Sequence, residues 1–148
     1  MGLKETITED MKKALRAKDT ERLGAIRMLL AAVQRRELDE RTTLDDAAVM
    51  AVAEKLIKQS REAATLFEQG GRVDLVDKEN REIVVWQAYL PEPLDHQALE
   101  KMVRDALAEA SASSMKDMGK VMSVLKPKLQ GRADMASVSK IVKTLLGG

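Results

Sequence analysis

The sequence predicts an all-α protein, and three observations carry that prediction. The chain is rich in Ala, Leu, Lys, Glu, Met and Arg, all good helix formers, while aromatic residues make up only 2% of it. Apolar residues recur at spacings of three and four along almost its whole length. There are 3 prolines, and two of them stand together in Pro91-Glu92-Pro93, so helix breakers are concentrated at one point. The predicted architecture is an N-terminal helical domain of about four helices over residues 1–92, followed by a small C-terminal three-helix bundle over 93–148.

The elements follow in order. A first helix is predicted from about Lys4 to Ala17. Asp19 caps a second, whose apolar stripe is Leu23, Ile26, Leu30 and Val33, with Arg27 half-buried between apolar neighbours. Residues 39–43 are polar and read as a turn, and Thr43 with Asp46 resembles a capping box. The third helix buries Val49, Val52, Leu56, Ala63 and Phe67 and ends at Gly70-Gly71. A fourth begins near Val73 and places Leu75, Ile83, Trp86 and Leu90 inward.

Beyond the proline elbow, Asp95 caps a fifth helix with Leu99, Met102, Val103, Ala106 and Leu107 inside. Ser113 or Ser114 caps a sixth, with Met118, Val121, Met122, Leu125 and Leu129 inside. Pro127 predicts a kink or an early end there, since an interior proline typically costs ~3 kcal/mol. Gly131 ends the sixth helix and Asp134 caps a seventh, which buries Val138, Ile141, Val142 and Leu145.

Composition excludes several function classes. The chain has no cysteine, which removes disulfides, thiolate catalysis and cysteine-ligated zinc. The single histidine, His96, lies in the first turn of the fifth helix and is expected to be exposed and inert. Carboxylates do not cluster at metal-ligand spacing, so no metal or cofactor is expected. Gly119-Lys120 lacks the flanking residues of a phosphate loop. Ser113-Ser114-Met115-Lys116 contains an S-x-x-K string, but helix capping is the simpler role for those serines. Arg35-Arg36 reads as surface charge or as ion-pair partners. Nothing resembles a signal core or a membrane span, and a cytoplasmic protein is expected.

Charge is unevenly spread. From Ser113 onward there are seven basic residues, Lys116, Lys120, Lys126, Lys128, Arg132, Lys140 and Lys143, against two acids, Asp117 and Asp134. At ~100° per residue Lys116, Lys120 and Lys126 fall broadly opposite the apolar stripe of the sixth helix, and Lys140 and Lys143 opposite that of the seventh. A basic face of this kind suits phosphate contacts, with Arg132 offering a forked guanidinium. A solvated lysine face is the plainer alternative.

Three blocks of sequence together resemble the stand-alone members of the GatB/YqeY family. One is Asp117-Met118-Gly119-Lys120-Val121-Met122 with Pro127-Lys128, Gly131-Arg132-Ala133-Asp134 and Val138. The others are Gly70-Gly71-Arg72 with Asp74-Leu75, Glu82-Ile83 and Ala88-Tyr89-Leu90-Pro91, and Leu23 with Ile26-Arg27-Met28-Leu29. The resemblance implies a C-terminal bundle similar to the tail of the B subunit of the tRNA-dependent amidotransferase. It further implies a tRNA-directed accessory role and an association with carbon–nitrogen ligases that take nitrogen from glutamine. The expected partners are tRNA and components of the amidotransferase or of aminoacyl-tRNA synthetases. Carried over to this chain, tRNA contact falls to Lys120, Lys128 and Arg132, with Gly119 and Gly131 allowing close backbone approach, and the basic face adds Lys116, Lys126 and Lys140 as candidate nucleic-acid contacts. No catalytic residue is carried over, and activity is not expected from this chain alone. The alternative function is a helical protein–protein adaptor that does not bind RNA.

Overall fold

The computed structural model describes residues 2–147. It is all-helical, and chain contacts divide it into two compact units, residues 1–90 and 91–148. The boundary falls at the proline elbow, two residues before the position predicted from sequence.

The first unit holds α1 (Leu3–Arg16), α2 (Thr20–Glu40), α3 (Asp46–Gln69) and α4 (Val73–Gln87). Its core gathers Ile7, Ile26, Leu29, Val33, Val49, Ile57 and Trp86. Trp86 is fully buried, and its indole Nε1–H donates to the Ala25 carbonyl at 2.8 Å, which locks α4 onto α2. Because α2 is packed by α1, α3 and α4 together, its buried arc is wider than one stripe. Leu29 and Ala25 are therefore buried, and Leu30 is only partly so. Arg27, expected to be half-buried, is exposed.

Helix ends are set by acids and by left-handed residues. Asp19, Asp45 and Asp95 each accept from the backbone N–H three residues on, at 3.2, 2.8 and 2.7 Å. Asp45 is thus the cap of α3, in place of Thr43 with Asp46. Asp46 instead accepts from the Leu3 N–H at 2.9 Å, joining the start of α1 to α3. At the end of α3, Gly71 has φ +72°, its N–H donates to the Glu68 carbonyl, and that of Arg72 donates to the Phe67 carbonyl. This is a Schellman ending, and glycine takes the left-handed conformation without a Cβ penalty. Lys18, Arg41 and Ser111 close α1, α2 and α5 in the same conformation without being glycine.

The predicted core of α3 is too long. Val49, Val52, Ala53, Ile57 and Ser60 are buried, but no residue from 61 to 81 is. Ala63, Phe67 and Leu75, expected in the core, are partly exposed or exposed less than their neighbours but do not join it. The outer part of α3 and the first half of α4 form a helical hairpin that leans on itself.

The second unit holds α5 (His96–Glu109), a 3-10 turn (Met115–Asp117), α6 (Met118–Leu129) and α7 (Met135–Leu145). Its core is Leu99, Val103, Ala106, Val121, Leu125, Leu129, Val138 and Val142, as the periodicity predicted. Pro127 does not end α6 early. It sits in the last turn, where the helix runs on to Leu129 before Gly131 turns the chain with φ +76°. No helix among the described residues is long and apolar enough to cross a membrane.

Candidate functional site

The basic residues of the second unit are found at its surface, but they do not form one stripe. Taking 100° per residue along α6, Lys120 points away from the buried face, while Lys126 and Lys128 flank it on opposite sides. Lys128 is also engaged, with Nζ 3.2 Å from Glu109 Oε2. Lys126 borders a shallow hollow with Met122, Ser123 and Met135. Lys116 is exposed on the 3-10 turn and Lys140 on α7, while Arg132 is half-buried in the turn before α7, where its carbonyl accepts from the Leu94 N–H.

The two glycines of the predicted site differ in their surroundings, Gly119 being exposed and Gly131 buried. A Cβ built on Gly119 would meet nothing within 4 Å, so no other helix of this chain packs against it. Gly131 is explained by its positive φ as a helix ending. Ser114 caps the 3-10 turn rather than α6, whose cap position is held by Asp117. Asp117 accepts from the Ser113 and Ser114 N–H groups at 3.0 and 3.4 Å, which holds its carboxyl below the usual carboxylate range, with Lys120 adding to the effect. His96 is exposed, 3.8 Å from Glu100.

A different feature emerges in the first unit. An open cleft of about 500 Å³ lies between α2 and α3. Ala32, Ala51, Val52 and Leu56 supply its apolar lining, and Arg35, Arg36, Asp39, Glu40, Lys55 and Gln59 its polar one. Arg36 is committed, with Nε 3.0 Å from Glu40 Oε1 and Nη1 donating to the Ala48 carbonyl at 3.4 Å. That contact ties the two helices together near their connecting loop. Arg35, Asp39 and Lys55 make no ion pair among the described residues. Helical phase extends both walls, because Met28 lies one turn before Ala32 and Leu66 lies seven residues after Gln59. Both are exposed apolar side chains.

The polar joints around the first unit fix its helices. Glu37 accepts from Lys4 Nζ at 2.7 Å and from the Leu44 N–H at 2.9 Å, and these bonds lower its pKa. The Tyr89 hydroxyl donates to Asp10 Oδ2 at 2.7 Å. Burial first, then this bond, push the phenol well above its usual range. Neither joint opens onto the cleft lining.

A family model described as Yqey-like protein matches residues 4–146. The chain belongs to the YqeY-like family. Its relatives include proteins named "Altered inheritance of mitochondria protein 41, mitochondrial". The one from Pyrenophora tritici-repentis is 31% identical over 144 residues, covering 93% of this chain and 77% of the relative. That from Eremothecium gossypii is 41% identical over 85 residues, covering 57% and 46%, and that from Vanderwaltozyma polyspora 29% identical over 126 residues, covering 80% and 65%. The matched part of the chain thus spans about half of the Eremothecium gossypii protein's length.

These relatives correct two expectations. A tRNA-directed, amidotransferase-related role was expected from the family resemblance, but the relatives are named for mitochondrial inheritance and no tRNA or amidotransferase role is shown among them. The sequence blocks mark membership of a family, and a fold does not by itself carry function with it. The cytoplasmic expectation falls too, since the relatives are described as mitochondrial. It rested on lacking cysteine and a signal core, and neither property distinguishes one reducing compartment from another.

The cleft was not found from sequence. Arg36 is the ion-pair partner that the sequence allows, through Glu40, but periodicity alone does not show where two neighbouring helices part. Ala32 and Ala51 stand in apolar runs of two long helices, Met28–Val33 and Ala47–Ala53, so nothing local marks them as lining a cleft.

Proposed function

We propose that this YqeY-like protein is a helical adaptor that binds another protein chain through its first unit. The observation that carries this is the projecting α3–α4 hairpin. Over residues 61–81 no residue is buried, yet both helices are regular and the turn between them is closed by a Schellman ending and an Arg72–Asp74 pair. Leu66 and Val73 are each 67% exposed on it. An ordered arm with apolar side chains in water is suited to burying them against a partner. The adjoining α2–α3 cleft supplies a concave surface beside it.

Site-specific photo-crosslinking in cells tests this, with the reactive group placed at position 66 and, as a control, at the exposed Arg104 position. A discrete protein adduct at 66, lost when Val73 is changed to Asp and absent at 104, is the expected result. No adduct at 66, or the same adducts at both positions, would refute the adaptor reading.

A further inference from the structure

We infer that the α2–α3 cleft accepts an amphipathic helix of a partner protein that carries carboxylates on both edges of its apolar stripe. This rests on the adaptor reading above and adds the chemistry of the partner.

The shape argues for a helix. The cleft is open and elongated between two antiparallel walls, so it lacks the enclosure that holds a small molecule. Ala32 and Ala51 leave room for a backbone to approach, while Val52 and Leu56 offer aliphatic contact. Laying an apolar helix face into such a groove is a recurrent way for helical surfaces to bind. The Arg36 contact with Ala48 ties the walls at the loop end, and Met28 and Leu66 continue the apolar lining away from it.

The charge argues for acids. Arg36 and Glu40 satisfy one another, which leaves Arg35 on the α2 wall and Lys55 on the α3 wall as cations without ion-pair partners. Asp39 is the one unpaired acid among the lining residues. Two free cations on opposite walls, above an apolar floor, complement a helix flanked by carboxylates on both sides. Edge charges of this kind choose between partners more than they add affinity.

The test uses the whole chain and two labelled synthetic helices. One carries Leu and Ala on its inner face with Glu along both edges, and the other replaces every Glu with Lys. Fluorescence anisotropy should show the Glu helix binding more tightly than the Lys helix. The double variant Arg35→Glu, Lys55→Glu should weaken the Glu helix by about tenfold or more and bind the Lys helix instead. Both substituted side chains are exposed, and far-UV circular dichroism checks that the variant is folded. Equal binding of the two helices, or Glu-helix binding unchanged in the variant, would overturn the inference. So would no binding of either helix. If position 66 still yields its adduct in those cases, the adaptor reading survives and only the partner chemistry is wrong; without that adduct both fall.

Discussion

Replacing Trp86 should destabilise the first unit through lost packing and a lost hydrogen bond together. Trp86 is fully buried, and its indole donates to the Ala25 carbonyl at 2.8 Å across two helices. In Trp86→Phe the ring is smaller and the N–H is gone. The Ala25 carbonyl still accepts its own helical bond, so no buried acceptor is orphaned and the lost hydrogen bond costs only about 1 kcal/mol. The missing ring atoms and the space they leave add about 1–2 kcal/mol, for a loss of about 2–3 kcal/mol in all. Trp86→Ala removes the whole indole and should cost about 3–5 kcal/mol. Urea denaturation followed by far-UV circular dichroism measures both, since the only tryptophan emission disappears with the residue. A Trp86→Phe protein within about 0.5 kcal/mol of the parent would show that neither the packing nor the bond contributes as argued.

Glu82 is buried in α4, and its pKa is raised by that burial and then by Glu79. A carboxyl with a raised folded pKa takes up a proton on folding, so its penalty grows as pH rises from the ordinary carboxylate value through the folded one. Glu82→Met should therefore stabilise the protein at neutral pH by about 1 kcal/mol, with the gain shrinking as pH falls through the raised folded value and gone by about pH 4; an equal gain at pH ~7 and pH ~4 would count against it. Glu37 behaves in the opposite sense. Its lowered pKa means that its contribution is present above the ordinary value and is lost as pH falls through the lowered one, so Glu37→Gln should flatten the acid limb of a stability–pH profile. Lys18 ends α1 at φ +57°, and Lys18→Gly should raise the urea midpoint by relieving about 1 kcal/mol of left-handed strain, whereas a lower midpoint would refute it.

Much of the fold was legible in the sequence because local rules and packing agree there. Asp19, Asp95 and Asp134 cap the helices they were expected to cap, and the second core follows its periodicity. The misses have physical causes. The end of α1 near Ala17 agrees with the prediction, yet Lys18, Arg41 and Ser111 take a left-handed conformation without the glycine that marks it, so only the three-dimensional hydrogen bonding shows that geometry. Leu29 displaces Leu30 because α2 is covered from several sides, which a single-stripe reading does not anticipate. The candidate site was less legible still. Arg35 and Lys55 lie twenty residues apart in sequence, and nothing local distinguishes them from the other surface cations.

The placement of the cleft follows from how α2 and α3 divide their loyalties. At ~1.5 Å per residue, these 21- and 24-residue helices are about 31 and 36 Å long, far more than one small core needs. Near their loop the Arg36–Ala48 contact and the Glu37 clamp hold them together. Farther along, α2 is claimed by α1 and by Trp86 of α4, while α3 packs chiefly on α4. The two helices are thus drawn toward different neighbours, and the space between them opens where small residues line it. The same division leaves the outer end of α3 dependent on α4 alone, which is why the hairpin emerges with Leu66 and Val73 uncovered. Arm and groove are therefore consequences of one packing arrangement. A change that drew α2 and α3 together, such as filling the groove from Ala51, would alter both surfaces at once.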